Sequence, residues 1–226
     1  MGAYDSFMAG SRKKGYKEVK PYSHYNDPIE RTQGRQAGNS RRWGDASPEV
    51  QEQVIRALIE SGRQHGLSAS DTARVLAIVR AESGFNPDAA SSESAAGFGQ
   101  FLDGTRRQYE IAEQDMFDIP VNANAVVEHY QFCKRRAESK GLSGKEKDAR
   151  TYKYYHDGPN SDGRDYGGIA NFNKPDGVRE WIHKIEEALN PNYVPGDYAD
   201  VSSPVQGELE SEDDGNDFCY GQGMSV

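Results

Sequence analysis

Residues 47–83, SPEVQEQVIRALIESGRQHGLSASDTARVLAIVRAES, contain two helix starts in close succession. Ser47 before Pro48 is a typical N-cap followed by proline at the first helical position. The apolar residues that follow share one helical face: Val50, Val54, Ile55, Leu58 and Ile59. A second helix starts at 68–71 and is apolar on most of its surface, which predicts that it is buried.

Helical patterns continue over about 121–139, 144–156 and 176–189. Residues 84–104 instead carry the glycine, proline and serine that are typical of a loop. Strand patterns are nearly absent, and no internal repeat occurs. The sequence therefore predicts an all-α or α-dominated domain over 46–191.

Both ends of the chain differ from this region in charge. Residues 1–45 hold nine Lys and Arg against five acids, about +4 by direct count, and 192–226 hold eight acids and no Lys or Arg. We expect a basic extended arm at 1–45 and an acidic tail at 192–226, each either flexible or bound to a partner. The net charge of −9 argues against a general nucleic-acid binder, so no direct nucleic-acid binding is expected.

The candidate chemistry lies in residues 81–105, AESGFNPDAASSESAAGFGQFLDGT. Glu82 stands at the end of the most apolar helix, where partial burial would raise the pKa of its carboxyl group. A raised pKa suits a carboxylic acid to general acid catalysis. A glutamate in the last turn of a helix is also commonly a solvated surface residue, so Glu82 alone does not decide the function.

The array that follows Glu82 resembles the signature of the soluble lytic transglycosylases, lysozyme-like enzymes that cut bacterial cell-wall glycan. The matching residues keep the family's spacing and are Glu82-Ser83, Phe85-Asn86-Pro87, Ser91, Gly97, Gln100 and Gly104-Thr105. Downstream, Tyr155 and Gly158-Pro159 match the family's Tyr-Asn-x-Gly-Pro block. The resemblance covers about 46–160, and it implies a goose-type lysozyme-like domain between the two arms.

The sequence departs from the family pattern at two places. His156 stands where the family has Asn, which removes an amide that could contact substrate. Phe98-Gly99 stands where the family prefers Leu-Met, so we expect the wall of the sugar pocket beside Gln100 to be reshaped.

The resemblance also implies roles for particular side chains. Glu82 would protonate the glycosidic oxygen and then accept the proton of the sugar's 6-hydroxyl group, which gives a 1,6-anhydro-muramyl product. Tyr155 would be the second catalytic residue and would orient Glu82 or stabilise charge at the reacting centre. The predicted substrate-binding residues are Ser83, Ser91, Gln100 and Phe98.

Each of these side chains also has an ordinary structural interpretation. Ser91 and Gln100 could cap the loop, Ser83 could bond within its helix, and Tyr155 could be a half-buried aromatic at a helix end. The five histidines share no metal-ligand spacing, so no metal and no cofactor are expected.

Three hypotheses on function remain open. The first is a lytic transglycosylase, which cleaves peptidoglycan glycan strands without a second catalytic carboxylate. The second is a lysozyme-type hydrolase, whose second carboxylate would be Glu93, Asp103 or Asp157. The third is a mainly structural component of a virion or secretion machine.

A combination of the first and third hypotheses predicts the location of the protein. An active domain would be built into a phage particle by its arms, which would bind other virion, tail or ejection proteins, and would open the host wall during genome delivery. We therefore expect a virion protein that acts in the host periplasm and cell wall. The sequence shows no secretory signal and no transmembrane segment, and Cys133 and Cys219 are interpreted as free thiols.

Overall fold

α-Helices make up most of the part of the chain that the computed structural model describes, namely residues 4–9, 41, 43–91, 93–164 and 166–189. In chain order they are α1 Pro48–Gln64, α2 Ala69–Ser83, α3 Asp103–Gln108, α4 Ile119–Ser139, α5 Gly144–Asp157, α6 Gly168–Asn173 and α7 Val178–Leu189. Within these ranges, strand pairing is limited to isolated bridges of Ala96 with Ala90 and with Phe101. The prediction of an α-dominated, lysozyme-like domain is confirmed.

The predicted helix starts are confirmed by their capping bonds. The Ser47 hydroxyl accepts the backbone N–H of Val50 at 3.4 Å, and the Ser68 hydroxyl accepts that of Asp71 at 3.0 Å. Each bond satisfies a backbone donor that has no partner inside its own helix. The sequence did not indicate α3 and α6, because six residues make less than two helical turns and leave too few positions for a periodic pattern.

Helix α2 lies in the interior of the domain. It packs against α7 and α1 and touches α4, while α4 also packs against α1 and α5, and α5 against α6. Buried side chains occupy most positions from Thr72 to its end, among them Ala73, Leu76 and Val79, each 0% exposed. The prediction that this helix is buried is confirmed. Glu82 lies in its last turn, next to the loop at 84–102.

A short segment near the N-terminus, residues 4–9, belongs to the core of this domain. Phe7 is 0% exposed, and its ring lies 6.5 Å from that of Phe85, centroid to centroid, in an edge-on arrangement. The backbone N–H of Ala9 donates to Oε1 of Gln51 at 2.9 Å, which fixes the segment to α1. This part of the predicted arm therefore packs on the domain itself.

The remaining predictions for the two ends of the chain concern residues outside the described ranges. Residues 10–40 and 190–226 are among them, so the basic arm beyond the docked segment and the acidic tail stay predictions. Cys133 is a buried free thiol, whereas Cys219 lies outside the described residues. Among the described helices, none combines the length and the apolar character needed to cross a membrane.

Replacing Phe7 with alanine is expected to destabilise the domain by about 3–5 kcal/mol, because the change deletes a fully buried ring and leaves a cavity against Phe85. Urea denaturation of the full chain measures the loss. Ser6→Ala is the control, since Ser6 is exposed and should change the free energy of unfolding by less than about 0.5 kcal/mol. A Phe7→Ala variant as stable as this control would contradict the docking of the segment.

Candidate active site

Glu82 occupies the last turn of α2, and only 8% of its surface is exposed. Gly84 ends the helix in the left-handed conformation with φ 60°, and its N–H donates to the Arg80 carbonyl at 2.9 Å. The loop at 84–102 then continues with three non-glycine residues at positive φ, Phe85 at 59°, Ser94 at 74° and Gln100 at 52°. Such strained backbone persists where the surrounding structure fixes it, and it is often found beside functional sites.

The surroundings of Glu82 favour its protonated form. Burial raises the pKa of the carboxyl group, and this effect outweighs the nearby positive charge of His156 and the hydrogen bond from Tyr152, which both lower it. The Tyr152 hydroxyl donates to Oε1 of Glu82 at 3.0 Å. Glu82 thus combines a raised pKa with a fixed orientation, as a general acid requires.

A buried charged cluster lies next to this carboxyl group. Asp157, whose side chain is 0% exposed, accepts from Lys153 Nζ at 2.8 Å, and its other oxygen lies 2.6 Å from Nδ1 of His156. Burial opposes protonation of His156, but the bond to Asp157 and the nearby Glu82 outweigh it and raise the pKa of His156. The amide of Asn171 lies 3.2 Å from Nε2 of the same ring. His156, with a raised pKa and a contact at each ring nitrogen, therefore stands in the place where the family has Asn.

Tyr155 does not make the orienting contact that the sequence predicts for it. Its hydroxyl donates to the Gly99 carbonyl at 3.0 Å, and the hydroxyl that reaches Glu82 belongs to Tyr152, three residues earlier on α5. Tyr155 also packs edge-on against His129, with 4.8 Å between ring centroids. It anchors α5 to the loop, and a role in stabilising charge at the reacting centre stays a prediction.

Two predicted substrate-binding residues are part of the core instead. Ser83 and Phe98 are both 0% exposed, and the Ser83 hydroxyl donates to the Val79 carbonyl within its own helix at 3.1 Å. Neither side chain has accessible surface in this structure, so neither is placed to touch a glycan strand. The ordinary interpretation of Ser83 applies.

The side chains of Ser91 and Gln100 make hydrogen bonds within the loop, and one side-chain atom of Gln100 has no partner among the described residues. The Ser91 hydroxyl accepts the backbone N–H groups of Glu93 and Ala95, both at 3.1 Å. Gln100 donates from Nε2 to the Gly97 carbonyl at 2.8 Å, while its buried Oε1 has no hydrogen-bond partner among the described residues. An unpaired buried acceptor is costly unless a ligand satisfies it. Substrate binding by Ser91 and Gln100 stays a prediction.

Packing explains why glycine stands at position 99, within the Phe98-Gly99 pair that departs from the family's Leu-Met. A Cβ atom there would lie 2.6 Å from Cγ2 of Val126 and 3.3 Å from the Tyr155 hydroxyl. Real Cβ atoms essentially never approach other atoms as closely as the first of these distances. Glycine therefore leaves room for Val126, and its backbone carbonyl accepts from the Tyr155 hydroxyl.

Sequence reasoning missed two polar side chains of the site, Tyr152 and Asn171. Tyr152 lies one helical turn before Tyr155, and the spacing of three residues places both on one face of α5. That signal was available in the sequence. Asn171 lies on the short helix α6, which no sequence pattern indicated. The described residues contain no group of three or more His, Cys, Asp and Glu side chains that could hold a metal ion.

Tyr152→Phe is expected to move the basic limb of the pH–activity profile upward, because it removes a hydrogen bond that lowers the pKa of Glu82. With a higher pKa, Glu82 stays protonated to higher pH. Tyr155→Phe is the matched control, since it removes the same atom from the same helix but breaks a bond to Gly99 instead. Rates of peptidoglycan solubilisation against pH give both profiles. An equal shift in the two variants would contradict the assignment of the Tyr152 contact.

A helix-dominated domain with a desolvated glutamic acid at the end of its interior helix is typical of lysozyme-like proteins. Residues 63–166 match the family model of the transglycosylase SLT domain. This match supports an SLT, lysozyme-like family for the domain. No curated protein matches the chain. The matched range includes Glu82, Tyr152, Tyr155 and the charged cluster around Asp157.

Proposed function

We propose that this chain is a peptidoglycan lytic transglycosylase that cleaves the β-1,4 bond between MurNAc and GlcNAc and leaves a 1,6-anhydro-muramyl end. The family match supports an enzyme that acts on peptidoglycan. The observation that carries the proposal is the environment of Glu82. Its side chain is buried, with 8% of the residue exposed, burial raises the pKa of its carboxyl group, and the Tyr152 hydroxyl orients it.

The proposed reaction uses one carboxyl group twice. Glu82 donates its proton to the glycosidic oxygen as the bond from that oxygen to C1 of MurNAc breaks. The oxygen of the 6-hydroxyl group then bonds to C1, and its proton passes to the Glu82 carboxylate. Atoms balance without water, and Glu82 returns to its protonated state. Tyr152 holds the carboxyl group through both steps.

Two of the three candidate carboxylates for a hydrolase, Asp157 and Asp103, are already engaged by other groups. Asp157 already accepts from Lys153 and His156 and from the backbone N–H groups of Gly168 and Tyr166. Asp103 is paired with Arg106, and Glu93 is exposed. These observations favour the transglycosylase over the lysozyme-type hydrolase.

Isotope labelling separates the two reactions. Purified peptidoglycan is digested by the full chain in water enriched in heavy oxygen, and the released fragments are weighed by mass spectrometry. We expect new muramyl ends without heavy oxygen, because the attacking oxygen comes from the sugar itself. Heavy oxygen in every new end would establish hydrolysis and overturn the proposal.

We further propose that the enzyme works as a component of a phage particle and acts on the host wall during genome delivery. The opposite charges of residues 1–45 and 192–226 support docking to other proteins of such an assembly. Removal of 192–226 is the suitable test, because residues 4–9 pack on the domain and a deletion of 1–45 would disturb its core. Copurification with intact particles should be lost in the shortened chain. A full-length chain that never copurifies with particles would contradict this role.

A further inference from the structure

The last turn of α2 is held from outside by residues near the N-terminus of the domain. The final four carbonyl groups of a helix have no partner inside it. The indole N–H of Trp43 donates to the carbonyls of Arg80 and Ala81, at 2.9 and 3.1 Å. The backbone N–H of Gly44 donates to the Ser83 carbonyl at 2.8 Å. Residues 43–44 thus bond to the carbonyls on both sides of Glu82 in the sequence.

The backbones in this region are in close contact. A Cβ atom at Gly84 would lie 2.6 Å from the Cα of Gly44, so the segment rests directly on the residue that ends α2. Gly84 has φ 60° and Gly44 has φ 66°, a conformation that favours glycine at both positions. The end of the helix and the segment across it therefore fix each other.

Arg80, two residues before Glu82, contacts residues from two distant parts of the chain. Its Nε donates to the Phe7 carbonyl at 2.9 Å, and its guanidinium lies 3.3 Å from the centroid of the Trp181 ring on α7. Burial lowers the pKa of Arg80 to about 10, against the opposing charges of nearby acids. Phe7, Trp43 and Trp181 all lie outside the matched family range of 63–166. This chain thus supports its acid-bearing helix with residues that the family match does not include.

We propose that Trp43 is a positioning residue for Glu82, whose indole N–H fixes the last turn of α2 and the electrostatic environment of the carboxyl group. This inference rests on the proposed function of Glu82 as the acid. The C-terminal end of a helix carries a partial negative charge, about half an elementary charge, on its unpaired carbonyls. The indole dipole offsets part of that charge beside a group that must become a carboxylate during the reaction. It also prevents small displacements of the acid, which reduce the rate of an oriented reaction strongly.

The test compares Trp43→Phe with Trp181→Phe in the full chain. Both changes remove an indole N–H from a ring beside Arg80, but the Trp181 N–H makes no hydrogen bond among the described residues. We expect Trp43→Phe to lower kcat on peptidoglycan strands about 10-fold with KM unchanged. It should also move the basic limb of the pH profile upward by about half a unit, because the pKa of Glu82 rises when the helix end loses its donor. Trp181→Phe should leave kcat within about two-fold and the limb in place.

Thermal melting reports how much of each variant is folded at the assay temperature. If Trp43→Phe is unfolded there, Trp43 is replaced by its benzothiophene isostere in the Trp181→Phe background, which keeps the ring shape and removes only the N–H. The chain has two tryptophans, so this background labels Trp43 alone. Equal kcat and an unmoved limb in the folded variant would overturn the positioning role. Activity that survives in Glu82→Gln would instead overturn the proposed function, so the two failures are distinguishable.

Discussion

Glu82→Gln is expected to lower the rate of glycan cleavage by about 10²–10⁴-fold, the range that general acid–base catalysis contributes. Glutamine keeps the shape of the side chain and can still accept from the Tyr152 hydroxyl, but it has no proton to donate to a glycosidic oxygen. The loss should therefore fall on kcat, while binding of glycan strands stays close to that of the wild type. Rates of fragment release from purified peptidoglycan measure the effect.

The same variant should be at least as stable as the wild type at neutral pH. Burial raises the pKa of Glu82 in the folded state above its unfolded value, so the folded state binds more protons than the unfolded state between the two pKa values. The wild type then loses stability as pH rises through this interval, and glutamine does not. A Glu82→Gln chain that melts well below the wild type at neutral pH would contradict this account of the carboxyl group.

Asp157→Asn is expected to destabilise the domain by about 3–5 kcal/mol at neutral pH, because it removes the counterion of a buried lysine. The side chains of Lys153 and Asp157 are 4% and 0% exposed, with 2.8 Å between Nζ and Oδ2. Lys153 Nζ also donates to the Arg164 carbonyl, which does not replace the lost charge. Asparagine would in addition weaken the bonds from His156 and from the N–H of Gly168. Urea denaturation at several pH values gives the loss.

The effect of Asp157→Asn should shrink in acid. Burial opposes ionisation of Asp157, but the bonds to His156 and Lys153 outweigh it and lower its pKa below the ordinary value. A depressed pKa contributes stability above the unfolded pKa of about 3.9, and this contribution is lost as pH falls through the folded value. Glu52→Gln is the control, since the Glu52–Arg56 pair is exposed and should contribute less than about 1 kcal/mol. Equal losses in both variants would contradict a buried charge cluster.

The helical framework was predictable because its signals are local. Capping serines at 47 and 68 and long apolar patterns specify α1 and α2, and the structure confirms both. The position of Glu82 at the end of a buried helix follows directly from the same pattern. The docking of Phe7 could not be predicted, because the sequence around it has no period and its partner Phe85 lies 78 positions away.

The candidate site was predicted less completely than the framework. The resemblance identified α5 as the helix opposite Glu82, but it named Tyr155 where the structure brings Tyr152 to the carboxyl group. Both tyrosines lie on one face, and only the rotation and depth of α5 decide which of them reaches across. Those quantities are set by the packing of α5 against α4 and α6, a tertiary feature that spacing along the chain does not contain.

The most direct test of the central claim is mass spectrometry of the fragments that the wild-type chain and Glu82→Gln release from purified peptidoglycan. The account predicts muramyl ends lighter by one water, the 1,6-anhydro form, from the wild type and almost none from the variant. Reducing muramyl ends from the wild type, or anhydro ends that persist in Glu82→Gln, would contradict it.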